Sequence, residues 1–174
     1  MLGINDGGEL VGDYSLTSTT PCCAAGTHGF LRSRGHDTTI DYPNAVLTYA
    51  NGINERGEII GAYNDGVSHG FYLHRDSYAP IDHPGATFTN ALGINSRGEI
   101  VGRYVDAAGG RHGYVLKRGE FTTVDYPGAT FTGVTAIDGE GNIVGRTIVD
   151  GVFHGFVLSR GEEREGQRAG SVSQ

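Results

Sequence analysis

Apolar and polar positions alternate with a period of two over short runs along nearly the whole chain, and each run closes on a turn rich in Gly, Asn and Asp. Such alternation marks half-buried β-strands, whose side chains point to opposite faces in turn. Residues 88–130 show the pattern at full length. Asn90–Asn95 reads as a first strand, A, and Ser96-Arg97-Gly98 as a type I turn whose glycine takes the left-handed region. Strand B, Glu99–Val105, puts Ile100, Gly102 and Tyr104 on one face, and the central glycine leaves room for a neighbouring ring or backbone. Strand C, His112–Lys117, aligns His112, Tyr114 and Leu116. Strand D, Phe121–Tyr126, stops at Pro127, and its counterpart in the preceding stretch contains Pro80. Proline donates no ladder hydrogen bond, so D is expected at the edge of its sheet.

The same phrase recurs four times. Gly3-Ile4-Asn5, Gly52-Ile53-Asn54, Gly93-Ile94-Asn95 and Ala136-Ile137-Asp138 are followed by Glu9-Leu10-Val11-Gly12, Glu58-Ile59-Ile60-Gly61, Glu99-Ile100-Val101-Gly102 and Asn142-Ile143-Val144-Gly145. A His-Gly-aromatic triplet then begins at His28, His69, His112 and His154, at spacings of 41, 43 and 42 residues. A period in that range belongs to propeller blades and other stacked modules. With small residues on strand A, suited to a crowded axis, and D outermost, the expected fold is all-β, a small β-propeller made of four repeats of a four-stranded antiparallel blade. It spans residues 1–161, in repeats of about 1–46, 47–87, 88–130 and 131–161. Three D strands accompany four A-B-C sets, so the fourth blade is expected to be incomplete and the polar residues 162–174 to be disordered. An open strand C edge in that blade implies a homo-oligomer; the alternative is a structural piece of a longer repeat array.

Thirty glycines, 9% aromatic residues and no Trp suit a turn-rich all-β chain. The net charge of −7, with Lys117 as the only lysine, offers a phosphate backbone little to pair with, so nucleic acid and anionic membranes are poor partners. No apolar run approaches the roughly 20 residues of a membrane span, and no basic-then-apolar export signal opens the chain. Cys22 and Cys23 are adjacent and cannot clamp distant strands. The phrase Ile-Asn-x-x-Gly-Glu-Ile-Val-Gly, as at Ile94–Gly102, with His-Gly-Phe and the Asp-Tyr-Pro-Gly-Ala of Asp125–Ala129, resembles the bacterial extracellular repeats called the HAF family after a His-Ala-Phe triplet. The resemblance covers residues 1–161, with Gly here in place of the triplet's Ala. It implies a secreted or surface-attached protein and carries over no catalytic residues.

Four repeated histidines invite a metal reading, but a residue present once per module usually serves the module. His28, His69, His112 and His154 are therefore expected to hydrogen-bond backbone or the aspartates Asp41, Asp82 and Asp125, as a structural signature, with no metal or cofactor. Asp138-Gly139-Glu140-Gly141-Asn142 offers oxygen ligands without EF-hand spacing and reads as a hairpin turn. A ligand site on a repeated scaffold needs a departure from the repeat. The one large insertion, Ser15–Thr27, falls in a B-to-C connection and shares a rim with Asp65, Asp106, Arg111 and Asp150 and with the Tyr42, His83 and Tyr126 loops, the candidate ligand-binding residues. The expected function is a non-catalytic extracellular module that binds a carbohydrate or protein ligand. The alternative is a small propeller hydrolase or lyase with its site on the rim of the insertion. Against it, the non-repeated pairs His36-Asp37 and His74 with Asp76 are poorly placed, and no nucleophile elbow, His-Glu-x-x-His or phosphate-cradling loop occurs.

Overall fold

The computed structural model describes residues 3–15, 26–160 and 170–171. Its strands, in chain order, are β1 Gly3–Ile4, β2 Leu10–Ser15, β3 Thr27–Ser33, β4 His36–Ile40, β5 Leu47–Ile53, β6 Ile59–Asn64, β7 Ser68–His74, β8 Ser77–Ile81, β9 Ala86–Ile94, β10 Ile100–Asp106, β11 Arg111–Lys117, β12 Glu120–Val124, β13 Phe131–Ile137, β14 Ile143–Val149, β15 Val152–Leu158 and β16 Gly170–Ser171. Strands hydrogen-bond in chain order as four meanders: β1–β4, β5–β8, β9–β12 and β13–β16. In the third, Ile100 lies opposite Leu116, Gly102 opposite Tyr114 and Tyr104 opposite His112, so the two sets read from the alternation share one face. The D-type strands β4, β8 and β12 each pair with a single neighbour; Pro80 lies within β8, and Pro43 and Pro127 follow β4 and β12.

The ring expected from the repeat count does not form. The strands make three separate sheets, none closed into a barrel or strongly curled, so the four-bladed β-propeller is corrected to an open all-β fold. The first two meanders are joined into one sheet by a parallel bridge between Thr27 and Leu47. A repeat period counts modules and says nothing about whether the series closes. The small residues of strand A, read as lining an axis, instead let neighbouring backbones approach. A Cβ on Gly3 would stand 2.9 Å from Gly52 Cα, and one on Gly93 would stand 3.0 Å from Ala136 Cα. The fourth blade, expected to stop at three strands, has β16 paired with β15 at Phe156 and Val157. The insertion between Ser15 and Thr27, Cys22 and Cys23, and most of the tail at 162–174 lie outside the described residues.

The chain divides into two compact units, Met1–Asp82 with Phe88–Ala91, and His83–Thr87 with Leu92–Gln174. Within each, the core lies between neighbouring meanders, because one sheet cannot bury its own faces. Val11 and Ile40 of the first meander join Ile53, Ile59, Phe71 and Leu73 of the second; Val101 of the third joins Val134, Ile143 and Phe156 of the fourth. The glycine at the centre of strand B is where the cross-strand ring lies. A Cβ on Gly61 would sit 2.7 Å from Phe71, and one on Gly145 would sit 2.6 Å from Phe156. No helix among the described residues is long and apolar enough to cross a membrane.

Candidate functional site

The phrase Ile-Asn-x-x-Gly-Glu closes a turn and also ties one meander to the next. Asn95 Oδ1 accepts from the backbone N–H groups of Arg97 and Glu99, and its Nδ2 donates to the Glu99 carboxylate at 2.7 Å and to the Asp138 carbonyl of the next meander at 2.9 Å. Asn5 does the same with Glu9, at 2.8 Å, and with the Asn54 carbonyl, at 3.1 Å. The turn was legible from the sequence and the tie was not. Its signal is the pairing of an Asn with a Glu four residues on. Glu99, 8% exposed, receives Arg97 Nη2 at 2.8 Å and Lys117 Nζ at 3.0 Å. Burial alone would raise its carboxyl, but hydrogen bonds from Asn95, Arg97 and Lys117 outweigh it and hold the pKa down to about 2. In the second meander Tyr72 Oη donates to Glu58 at 2.8 Å, and burial with that bond pushes the phenol up to about 12. The fourth meander has Asp138 and Asn142 at these positions, and Asp138 Oδ1 accepts from the N–H groups of Glu140, Gly141 and Asn142. These are the hydrogen bonds of a turn.

The repeated histidines meet the repeated aspartates. His28 Nδ1 lies 2.8 Å from Asp41, His69 Nδ1 2.8 Å from Asp82 and His112 Nδ1 2.8 Å from Asp125. Nε2 of His69 lies 3.4 Å from Asp65, and that of His112 lies 3.2 Å from Asp106. Burial lowers the His112 pKa, but the hydrogen bonds to Asp125 and Asp106 outweigh it and raise the group above its ordinary value. The His69 and His112 rings then stack, while His28 lies tilted against Tyr14. Tyr42 of the first meander lies 3.6 Å from Tyr63 of the second, nearly parallel at 4°, and Tyr63 lies 5.0 Å from His69. His83 repeats this on Tyr104 at 3.6 Å and 6°, with Tyr104 5.0 Å from His112. The fourth meander breaks the pattern: its His154 is exposed and Thr147 replaces the tyrosine. Thr147 Oγ1 donates to the Phe131 carbonyl at 2.8 Å.

The seven candidate ligand residues are divided between the two compact units. Tyr42 and Asp65 belong to the first unit; His83, Asp106, Arg111, Tyr126 and Asp150 belong to the second. Tyr42 and His83 are taken up by stacking, and Tyr126 packs tilted against Phe156 at 6.2 Å. Asp106 accepts from Gly110 N at 2.7 Å and Ala108 N at 2.8 Å, which holds its carboxyl below the usual range. Asp150 occupies the left-handed region, φ 50°, in the β14–β15 turn. Of the catalytic alternatives, Asp37 is held by Arg32 through two bonds of 2.7 Å. Among the described residues no three His, Cys, Asp or Glu side chains are grouped to hold a metal ion.

An arginine cluster in the second unit escaped the sequence reading. Arg103 and Arg146 follow the strand B glycine, where the first two meanders carry Asp13 and Ala62. Burial lowers the Arg103 pKa, and the neighbouring charges of Arg146 and Arg111 lower it further. Arg146 lies 5.9 Å from the Phe131 ring and 6.0 Å from that of Phe153, which is 65% exposed. A departure from the repeat at one register position was the available signal.

Comparison with known proteins adds the fold alone. No family model matches the chain, and no curated protein matches it. A solved structure, that of Porphyromonas gingivalis dipeptidyl peptidase 4, is similar over 95% of this chain at 12% identity and a TM-score of 0.52. The chain spans 29% of the length of that protein.

Proposed function

We propose that the chain is a non-catalytic extracellular binding module whose second unit takes an anionic carbohydrate, one bearing carboxylate or sulfate groups. The observation that carries this reading is the placing of Arg111 and Arg146 near enough to Arg103 for their charges to disfavour its own, on a chain of net charge −7. Like charges gathered this way are relieved by an anion, and guanidinium groups meet planar carboxylates and sulfates through paired hydrogen bonds. Exposed Phe153 beside Arg146 offers an apolar ring for a sugar face. His28, His69 and His112 are engaged with the repeated aspartates that face them, and the arginines supply the non-repeated cationic chemistry of the second unit. Extracellular placement rests on the resemblance of the repeat phrase.

Titration calorimetry with a polyuronate oligosaccharide, a sulfated one and a neutral one tests the reading. The acidic sugars bind, the affinity falls with salt, and Arg111→Ala weakens it about tenfold, the loss of one charge-assisted contact. Equal binding of the neutral sugar, or no binding at all, would sink it.

A further inference from the structure

Val144 of the fourth meander is 40% exposed, whereas its counterparts Val11, Ile60 and Val101 are each 0% exposed. The covered ones show what is missing. In the first unit β5 packs against β2 and β3, and in the second β13 packs against β10 and β11. The glycine of the His-Gly-aromatic triplet marks where the covering strand lands. A Cβ on Gly29 would meet Ala50 Cβ at 3.4 Å, one on Gly70 would meet Ala91 N at 3.5 Å, and one on Gly113 would meet Val134 Cγ2 at 2.8 Å. Among the described residues, a Cβ on Gly155 of the fourth meander would have nothing nearer than 3.9 Å. It keeps the glycine without the neighbour. Val157, 44% exposed, extends this face, and Ala136, Asp138, Val144 and Val157 line a groove of about 370 Å³.

The first meander is bare in the complementary sense. Ile4 is 67% exposed where Ile53 is 6% exposed, and Tyr14 is 37% exposed where Tyr63 and Tyr104 are each 7% exposed. One chain therefore displays both halves of a junction that it already builds within each unit. We propose that the fourth meander docks the first meander of a second copy of this chain, head to tail, with β1 and β2 of one copy covering β14 and β15 of the other. Arg146 and Phe153 lie on that face, so docking there competes with the anionic ligand for the fourth meander's part of the site; Arg103, at the same register position as Arg146, is half-buried. Two departures make the contact weaker than the internal junctions. Asp138, a carboxylate, cannot donate the hydrogen bond that Asn5 and Asn95 give to the next meander. Ala136 carries a methyl group at the position where a Cβ on Gly3 or Gly93 would stand only about 3 Å from the backbone of the next meander. The association is accordingly reversible, and being heterologous it grows beyond the dimer.

Sedimentation velocity from about 1 to about 300 µM reads this directly. The unmodified chain moves from monomer to dimer and longer species. Gly155→Val, whose Cβ would meet no described atom of its own chain closer than 3.9 Å, blocks docking and leaves the circular dichroism unchanged. Ala136→Gly combined with Asp138→Asn restores both features of the internal junctions and shifts association to about tenfold lower concentration; this gain decides the matter even if Gly155→Val fails to fold. Ile4→Asp and Val144→Asp are each monomeric, and their mixture stops at the dimer because one intact junction remains. Arg111→Ala, the test of the anionic site, leaves association unchanged. A monomer throughout, association that survives Gly155→Val, or no gain in the double variant overturns the proposal.

Discussion

Glu99 is the carboxylate on which most cations converge, and replacing it with Gln gives a stability change of calculable size and sign. Its pKa falls from an ordinary 4.5 to about 2 in the folded chain. At about 1.4 kcal/mol per unit, that difference corresponds to roughly 3 kcal/mol of pH-linked stability. Its partners Arg97, Lys117 and Arg160 are 41%, 43% and 43% exposed, and solvent screening of such groups brings the expectation to about 1–2 kcal/mol. Because folding depresses this pKa, the stabilisation is complete above 4.5 and is lost as the pH falls through that value towards 2. Urea unfolding followed by circular dichroism from about pH 7 to about pH 2.5 measures it. Glu99→Gln should begin less stable at neutral pH and lose less on acidification, so that the two curves converge. Curves that stay parallel over the whole range would refute the reasoning.

Three further outcomes are expected. Gly61→Ala places a methyl group against the Tyr49 carbonyl and 2.7 Å from the Phe71 ring, and costs about 1–3 kcal/mol, while Gly155→Ala, with no described atom nearer than 3.9 Å, stays within about 0.5 kcal/mol; thermal melts of both distinguish them. His112 has a raised folded pKa, so its contribution is fully present below the ordinary value of about 6.5 and is lost as the pH rises through the folded value. Asp125→Asn should lower the His112 midpoint in an NMR titration, and an unchanged midpoint would show that the carboxylate is not its partner. Asn95→Ala removes a tie to the Asp138 carbonyl and a bond to Glu99, and should cost about 1–3 kcal/mol and speed amide exchange in β13 as well as β10; exchange confined to β10 would contradict the tie.

The local fold was legible because its signals are local. Gly98 takes the left-handed region, φ 78°, and its N–H bonds to Asn95 O at 3.0 Å, as the Ser-Arg-Gly turn implied. The faces of β10 and β11 followed from alternation, and Pro80 and Pro127 marked the edge strands. What failed was long-range. Gly52 and Gly93 were read as serving a central axis when they serve contact between neighbours, and nothing in a strand's own sequence separates those two uses of a small residue. The surroundings of the candidate ligand residues were hidden for a related reason. Tyr42 and His83 look free in the chain order, and only the neighbouring meander supplies the rings on which they lie. Arg103 and Arg146 were visible departures from the repeat, but their proximity to Arg111 comes from the sheet registers.

The central claim is that the repeated residues join one meander to the next. A double-mutant cycle between Tyr42 and Tyr63, whose rings lie 3.6 Å apart on adjacent meanders, tests it most directly. With each ring replaced by Leu, singly and together, the account predicts a coupling of about 0.5–1.5 kcal/mol in urea unfolding. Strictly additive losses would contradict it.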